Sequence, residues 1–238
     1  MRLLIDAGNT RIKWALTQGD AWLRSGVLPV ERVGELFAQF ADAPDIQDVW
    51  VSNVAGEAVA QAICNSVAPD KLHFIVACER QCGVRNGYAE ASRLGSDRWA
   101  ALIGAWHLVG GCCLVVNCGT ATTVDALSEN GEFIGGLILP GVELMQRSLC
   151  GAAAQLQAAS GAYAAFPCNT ADAMYSGVVQ ASCGAIERQH GLLGVARAEV
   201  VLSGGAAEVL RERLNLPLRL VDNLVLQGLW LIAQETKG

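Results

Sequence analysis

The sequence lacks the motifs of the commonest nucleotide-binding folds. It has no G-x-x-x-x-G-K-[ST] loop and no G-x-G-x-x-G after a predicted strand, so neither a P-loop enzyme nor a dinucleotide-binding domain is supported. The three histidines, His73, His107 and His190, are dispersed, and no serine stands in G-x-S-x-G. We therefore interpret the histidines as structural and find no sign of a hydrolase of the G-x-S-x-G type.

Positive charge is scarce. Lys and Arg number 17 against 23 Asp and Glu, which gives a formal net charge of -6, and no Lys/Arg run is interleaved with aromatic residues. Such a chain repels a phosphate backbone, so nucleic acid is not expected as its main ligand. Apolar residues make up 52% of the 238 residues, which excludes a disordered chain and allows a sizeable core in one or two domains.

Long hydrophobic runs are also missing. The most apolar charge-free stretch, residues 100–116, is interrupted by His107 and two glycines, and it falls short of the roughly 18 residues that a membrane-spanning helix needs. It is predicted as a buried helix followed by a buried strand. Asp6 comes too early for the apolar core of a signal peptide, so we expect a cytoplasmic protein without a membrane partner.

The nine cysteines do not form a recognisable set. Their number is odd, they are scattered through apolar segments, and no C-x2-C pair or nearby histidine completes a zinc site. We predict small hydrophobic side chains in a reducing compartment rather than disulfides or metal ligands.

A strand, a glycine turn and a second strand occur twice. Residues 2–6 and 12–16 are predicted as one hairpin, and residues 112–118 and 121–127 as another, with Asp6 and Asn117 lying 111 positions apart. We expect an α/β protein with two similar lobes related by duplication, residues 1–111 with the first turn and residues 112–238 with the second.

Helices and further strands alternate between and after the two hairpins. The apolar periodicity predicts both element types. The predicted helices cover residues 31–40, 57–67, 142–158, 170–190 and 223–234, and the additional strands cover residues 49–53, 133–139 and 200–203.

The first turn, Asp6-Ala7-Gly8-Asn9-Thr10, places a carboxylate at the end of a buried strand. A glycine turn lets backbone N–H groups approach an anion, and a carboxylate can hold magnesium through water, which together would seat ATP phosphates. Lys13 could add a positive charge. An ordinary hairpin with Asp and Asn in its turn explains the same residues equally well.

The second turn has a similar set of residues: a polar side chain at the end of a strand, a glycine and hydroxyl groups. Asn117-Cys118-Gly119 is followed by three hydroxyls at Thr120, Thr122 and Thr123. Two such turns facing one another would hold a triphosphate, which favours function, although a Thr-rich strand on a solvated face remains the alternative.

Asp97 precedes an apolar helix and is followed by Arg98. It could be a simple helix N-cap. An acid beside a guanidinium could instead activate a hydroxyl and neutralise an anionic substrate.

These motifs resemble those of the type III pantothenate kinases, which belong to the actin, sugar-kinase and heat-shock-chaperone ATPase superfamily. The resemblance covers nearly the whole chain, and the Tyr88 loop joined to Gly-x-Asp-Arg is its most specific part. The matching segments are residues 6–13, 51–54, 86–88, 94–99, 119–123, 135–136, 140–141, 169–170, 202–205 and 222–224.

The resemblance implies two duplicated ribonuclease H-like lobes with a nucleotide cleft between them, the substrate loop lying in residues 1–111 and Gly204-Gly205, near the adenosine, in residues 112–238. It also implies ATP-dependent phosphorylation of pantothenate to 4'-phosphopantothenate, the first step towards coenzyme A, in a homodimer with substrate pockets near the subunit interface. Asp97 would be the catalytic base. The implied ATP-binding residues are Asp6, Ala7, Gly8, Asn9, Thr10, Arg11, Ile12, Lys13 and Thr120, and the implied pantothenate contacts are Tyr88, Gly95, Ser96, Asp97, Arg98 and Thr170.

The resemblance also implies two kinds of cation. Magnesium would be held by Asp6 through water, and a monovalent cation, potassium or ammonium, would lie at the second turn. There the family commonly has Asp where this chain has Asn117, so monovalent-ion affinity is expected to be weaker or the requirement absent.

Two other functions fit the same residues. A superfamily kinase could act on a sugar or another hydroxy acid, although Tyr88 and the Asp97-Arg98 pair favour a small acidic substrate. Alternatively, the chain could keep a kinase fold and act as an accessory binding protein, which Asn117 would favour and the intact Asp6, Asp97 and Thr120 argue against.

Overall fold

A computed structural model describes residues 1–42, 46–152 and 160–236. The strands are β1 Arg2–Ala7, β2 Arg11–Gln18, β3 Ala21–Pro29, β4 Asp48–Asn53, β5 Leu72–Phe74, β6 Arg80–Gln81, β7 Val84–Asn86, β8 Cys113–Cys118, β9 Ala121–Leu127, β10 Glu132–Pro140, β11 Glu199–Ser203 and β12 Leu218–Leu220. The α-helices are α1 Glu57–Cys64, α2 Ser96–Val109, α3 Val142–Ala152, α4 Thr170–Leu193, α5 Ala207–Arg211 and α6 Leu224–Glu235.

The chain divides into two compact units, which are described separately. Unit 1 comprises Met1–Leu108 and Asn223–Gly238, and unit 2 comprises Val109–Asp222. The prediction of an α/β fold is confirmed, since both units combine a sheet with helices. The expected helix at residues 31–40 consists of two 3-10 segments, and residues 153–158 of the expected helix 142–158 lie outside the described residues.

Unit 1 is built on the sheet β3-β2-β1-β4-β5. The hairpin β1–β2 is antiparallel and β1 pairs with β4 in parallel. Alternate residues of these strands, such as Leu3, Ile5 and Val51, enter one apolar core, as expected for strands whose side chains alternate between faces. Asp6 and Ser52 therefore lie on the opposite face of the sheet.

Unit 2 has a sheet with the same pairing scheme. β8 pairs antiparallel with β9, β9 pairs antiparallel with β10, and on its other edge β8 pairs parallel with β11, which pairs parallel with β12. Asn117 pairs with Thr123 and with Ser203, just as Asp6 pairs with Lys13 and with Ser52. This correspondence supports the duplication inferred from the sequence.

The described units differ from the predicted lobes in the assignment of the C-terminal helix. The sequence placed it in a lobe over residues 112–238, whereas α6 packs within unit 1, against β1, β2 and β4. The physical reason is a close crossing of α6 with α2, at which Gly228 lies against the backbone of Ala100. The two boundaries therefore differ by this helix.

The apolar stretch at residues 100–116 forms most of α2 and then β8, as predicted. Among the described residues, no helix is long and apolar enough to span a membrane. All nine cysteines are described and are free thiols. Cys113, Cys118 and Cys183 are buried as expected, whereas Cys64 and Cys168 are exposed.

Replacing Gly228 by alanine is expected to destabilise the protein by about 3 kcal/mol, because two packed backbones would have to separate. A Cβ at this position would lie 1.8 Å from Ala100 O. Urea unfolding followed by circular dichroism measures the effect. Gly184→Ala, in a helix where an added Cβ meets nothing within 4 Å, should be neutral or gain up to about 1 kcal/mol. Equal stability of the two variants would contradict this packing.

Candidate active site

Asp6 stands near the end of β1 with Lys13 and Ser52 as its neighbours in the sheet. Burial, and after it the charge of the nearby Asp97 carboxylate, raises the pKa of Asp6 to about 7, while the charge of Lys13 acts in the opposite direction. A carboxylate without full solvation, facing a second carboxylate, favours binding of a cation.

The turn after β1 uses the N–H of Gly8 internally. Gly8 N–H donates to Arg11 O at 3.1 Å, so this N–H closes the hairpin and does not face an anion. The side chains of Ala7 and Ile12 are fully buried in the core of unit 1, so these two residues can offer a nucleotide only backbone atoms. The exposed side chains of the turn are Asn9, Thr10 and Arg11.

Asp97 lies within the first turn of α2. Because the helix begins at Ser96, the N-cap alternative is wrong: Asp97 Oδ1 accepts the N–H of the next residue, Arg98, at 2.8 Å. Burial raises the pKa of Asp97, while this hydrogen bond and the Arg98 charge oppose the rise. The carboxylate is thus held in one orientation and is more basic than an exposed aspartate.

Gly95 leaves the space that the Asp97 carboxylate occupies. A Cβ at Gly95 would lie 2.7 Å from Asp97 Oδ1, closer than carbon and oxygen approach without bonding. Any other residue would push the carboxylate aside. Glycine is therefore required here by the acid two positions later.

The loop that carries Tyr88 is shaped by Asn86. Asn86 Oδ1 accepts the N–H of Tyr88 at 2.9 Å, and Asn86 Nδ2 donates to Ala91 O at 3.1 Å. The guanidinium carbon of Arg98 lies 5.9 Å from the centre of the Tyr88 ring, within cation–π range. The loop and the start of α2 thus place a phenol and a buried guanidinium beside Asp97.

In unit 2, two glycines crowd the second turn. Gly119 N–H donates to Ala121 O at 3.0 Å, and Gly141 N–H donates to Thr120 O at 2.8 Å. A Cβ at Gly141 would lie 2.1 Å from Gly119 O, and one at Gly204 would lie 2.5 Å from Cys118 O. Only glycine permits these approaches, so the backbone of the turn is fixed by close packing.

Asn117 and Thr123 are paired across β8 and β9. The Thr123 hydroxyl is buried and has no hydrogen-bond partner among the described residues, and the same is true of Thr122. An unpaired buried hydroxyl costs free energy. An amide oxygen and a hydroxyl beside each other match the oxygen ligands of a monovalent cation.

Thr170 begins α4 in unit 2. The helix is capped by Asn169, whose Oδ1 accepts the N–H of Asp172 at 2.9 Å. Asp172 Oδ1 in turn accepts the N–H of Ala162 at 2.7 Å. Thr170 therefore occupies a well-defined helix N-terminus, where N–H groups and the helix dipole favour anions.

The structure brings some of the predicted residues together and divides the rest. Unit 1 holds residues 6–13, Tyr88 and residues 95–98, and unit 2 holds Asn117, Thr120 and Thr170. No sequence motif predicted a role in the site for Ser52, Gln81 or Asn86. Ser52 and Asn86 stand inside matched motifs, which was an available signal; Gln81 stands in none.

The fold has solved relatives. A Baf family protein from Campylobacter jejuni is 21% identical, with a TM-score of 0.66, and the alignment covers 99% of this chain and 98% of that one. MreB 5 of Spiroplasma citri, solved with AMPPNP bound, is 10% identical, with a TM-score of 0.56, covering 100% of this chain and 97% of that one. These likenesses confirm the expected actin-like and sugar-kinase-like fold.

Sequence comparison identifies the family. The model of the type III pantothenate kinases matches residues 2–191. A type III pantothenate kinase from Aromatoleum aromaticum is 49% identical over 241 aligned residues, covering 99% of this chain and 98% of the relative. The chain therefore belongs to the type III pantothenate kinases.

Proposed function

We propose that Asp6 and Asp97 carry out the transfer of the γ-phosphoryl group of ATP to the primary hydroxyl of pantothenate, giving 4'-phosphopantothenate. The observation that carries this proposal is the pair of carboxylates in unit 1, close enough for Asp97 to raise the pKa of Asp6. Phosphoryl transfer depends mainly on positioning and charge neutralisation. Family membership favours pantothenate over the sugar that the motifs alone left open.

Asp97 serves as the base towards pantothenate. Its raised pKa makes it a better proton acceptor than a solvated aspartate, and its hydrogen bond from Arg98 N–H fixes the oxygen position. Arg98 and Tyr88 supply a positive charge and a phenol for the acidic substrate. Gly95, Ser96 and Thr170 complete the proposed substrate contacts, Ser96 through its backbone because its hydroxyl bonds that of Ser52.

The ATP side consists of residues 6–13 and Thr120. Asp6 is the proposed magnesium-side carboxylate, because oxygen ligands with negative charge suit this ion. Magnesium, when bound, would neutralise charge on the phosphates. Lys13 adds a positive charge next to Asp6, and the exposed Asn9, Thr10 and Arg11 are available to the nucleotide.

Asn117 is the proposed ligand of a monovalent cation, together with the Thr123 hydroxyl. Their oxygen atoms are suitable ligands for potassium or ammonium, but both side chains are uncharged. We therefore propose weak or absent dependence on the ion. A homodimer is proposed from family likeness.

A coupled ADP-release assay with ATP, magnesium and pantothenate tests the function. We expect turnover that requires pantothenate and changes by less than about threefold when potassium or ammonium is added, since a neutral ligand set binds such ions weakly. ADP release with a sugar but not with pantothenate would contradict the proposal that pantothenate is the substrate. Growth of a strain without its own pantothenate kinase would separate an enzyme from an accessory binding protein.

A further inference from the structure

A buried serine lies beside Asp6 in the sheet. Ser52 on β4 is the parallel neighbour of Asp6 on β1, and its side chain is fully buried. Registered neighbours in parallel strands place their side chains on the same face. Ser52 is therefore fixed next to the carboxylate by backbone pairing alone.

A second serine lies beside Asp97. Ser96 is the first residue of α2 and is also buried. The hydroxyl oxygens of Ser52 and Ser96 are 2.9 Å apart, a hydrogen bond in which either can donate. This contact joins the strand position next to Asp6 with the helix position next to Asp97.

The backbone around this contact is held close on both sides. Val54 N–H donates to Ala7 O at 3.0 Å, which continues the β1–β4 ladder past Asp6. A Cβ at Gly95 would be 3.9 Å from Val54 Cγ1, so the start of α2 lies against this end of β4. On its far side α2 is anchored where Trp99 Nε1 donates to Gln81 Oε1 at 2.9 Å.

We propose that Ser52 and Ser96 are positioning residues, whose hydrogen bond sets the separation of the Asp6 and Asp97 carboxylates. Asp6 is rigid because it belongs to a paired strand, whereas Asp97 can shift with the first turn of α2. The serine contact is a side-chain hydrogen bond that ties this turn to β4 beside Asp6. This proposal rests on the proposed roles of the two aspartates.

The serine contact also contributes to the stability of the fold, and this effect is separate from positioning. A buried hydroxyl pair stabilises the fold modestly, and removing one partner leaves the other unsatisfied. A purely structural pair would change only stability. A positioning pair also changes the catalytic step, since misplacing reacting groups by about 1 Å can cost on the order of 100-fold.

The test compares Ser52→Ala, Ser96→Ala and the double variant in the ADP-release assay. We expect each single variant to lower kcat by about 10-fold, with the KM for ATP changed by less than about twofold. The double variant should fall no further than the worse single variant, because both remove one interaction. Ser96→Thr keeps the hydroxyl and should restore kcat to within about threefold of the original.

Ser182→Ala is the matched control. Ser182 is equally buried, and its hydroxyl donates to Val178 O at 3.1 Å within α4. This variant removes a buried hydroxyl outside the proposed site and should leave kcat unchanged. Ser52→Cys keeps the side-chain volume and a weaker donor, so it provides a folded variant if Ser52→Ala does not fold.

The outcomes are separable. A kcat within about twofold of the original in folded Ser52→Ala or Ser96→Ala, or independent losses in the double variant, would overturn the positioning role. Near-normal turnover of Asp97→Asn would instead overturn the base assignment, whatever the serine variants do.

Discussion

Replacing Asp97 by asparagine is expected to lower kcat for pantothenate phosphorylation by about 100- to 10,000-fold, the range over which a general base contributes. Asparagine keeps the size of the side chain and can still accept the N–H of Arg98, so the fold and the ATP affinity should persist. Steady-state kinetics measures kcat, and binding of a fluorescent ATP analogue measures the affinity. A normal kcat in this variant would show that another group accepts the proton.

The carboxylate can also be displaced without being removed. Gly95→Ala places a Cβ 2.7 Å from Asp97 Oδ1, so the carboxylate, as the end of a side chain, has to turn away from its present position. We expect a fall in kcat of at least about 10-fold and almost no change in melting temperature. Gly177→Ala, whose added Cβ meets nothing within 4 Å, should leave both quantities close to their original values.

The hairpins and their turns could be predicted from the sequence, because the signals are local. Apolar strands that end in a glycine turn identify β1–β2 and β8–β9. The motif that is repeated in the sequence forms the same antiparallel strand pair in both units. Family motifs then selected Asp6 and Asp97. Their proximity, which raises the pKa of Asp6, depends on the tertiary structure and could not be predicted from their spacing in the sequence.

The contacts that escaped prediction join residues far apart in the chain. Ser52 and Ser96 are separated by 44 positions, and Gly228 meets Ala100 across two helices whose sequences look merely apolar. The difference between the predicted lobes and the described units has the same origin: α6 follows unit 2 in sequence but packs within unit 1. The hydrogen bond from Gly8 N–H to Arg11 O was not predicted either, and the place of Gly8 among the ATP-binding residues stays a prediction.

Replacing Asp6 by asparagine is expected to lower kcat by at least about 100-fold, comparable to removing one preorganised charge-stabilising group, and at the same time to raise thermal stability. The folded-state pKa of Asp6 is about 7, above the usual 3.8. Folding therefore favours the protonated acid, and the charged form is a cost that is fully present above the folded pKa and absent below the unfolded pKa. Asparagine removes this cost and keeps the shape.

Melting temperatures in EDTA-containing buffer, without nucleotide, measure the second effect. At pH 8 the Asp6→Asn protein should melt at least about 2 °C higher than the original, and the difference should shrink towards zero near pH 4. Asp42→Asn is the control of opposite sign, since its hydrogen bond with Arg24 lowers the pKa of Asp42; this variant should melt at the same or a lower temperature. A loss of stability in Asp6→Asn at pH 8 would mean that the charged carboxylate is already compensated in the free protein, which would contradict the raised pKa of Asp6.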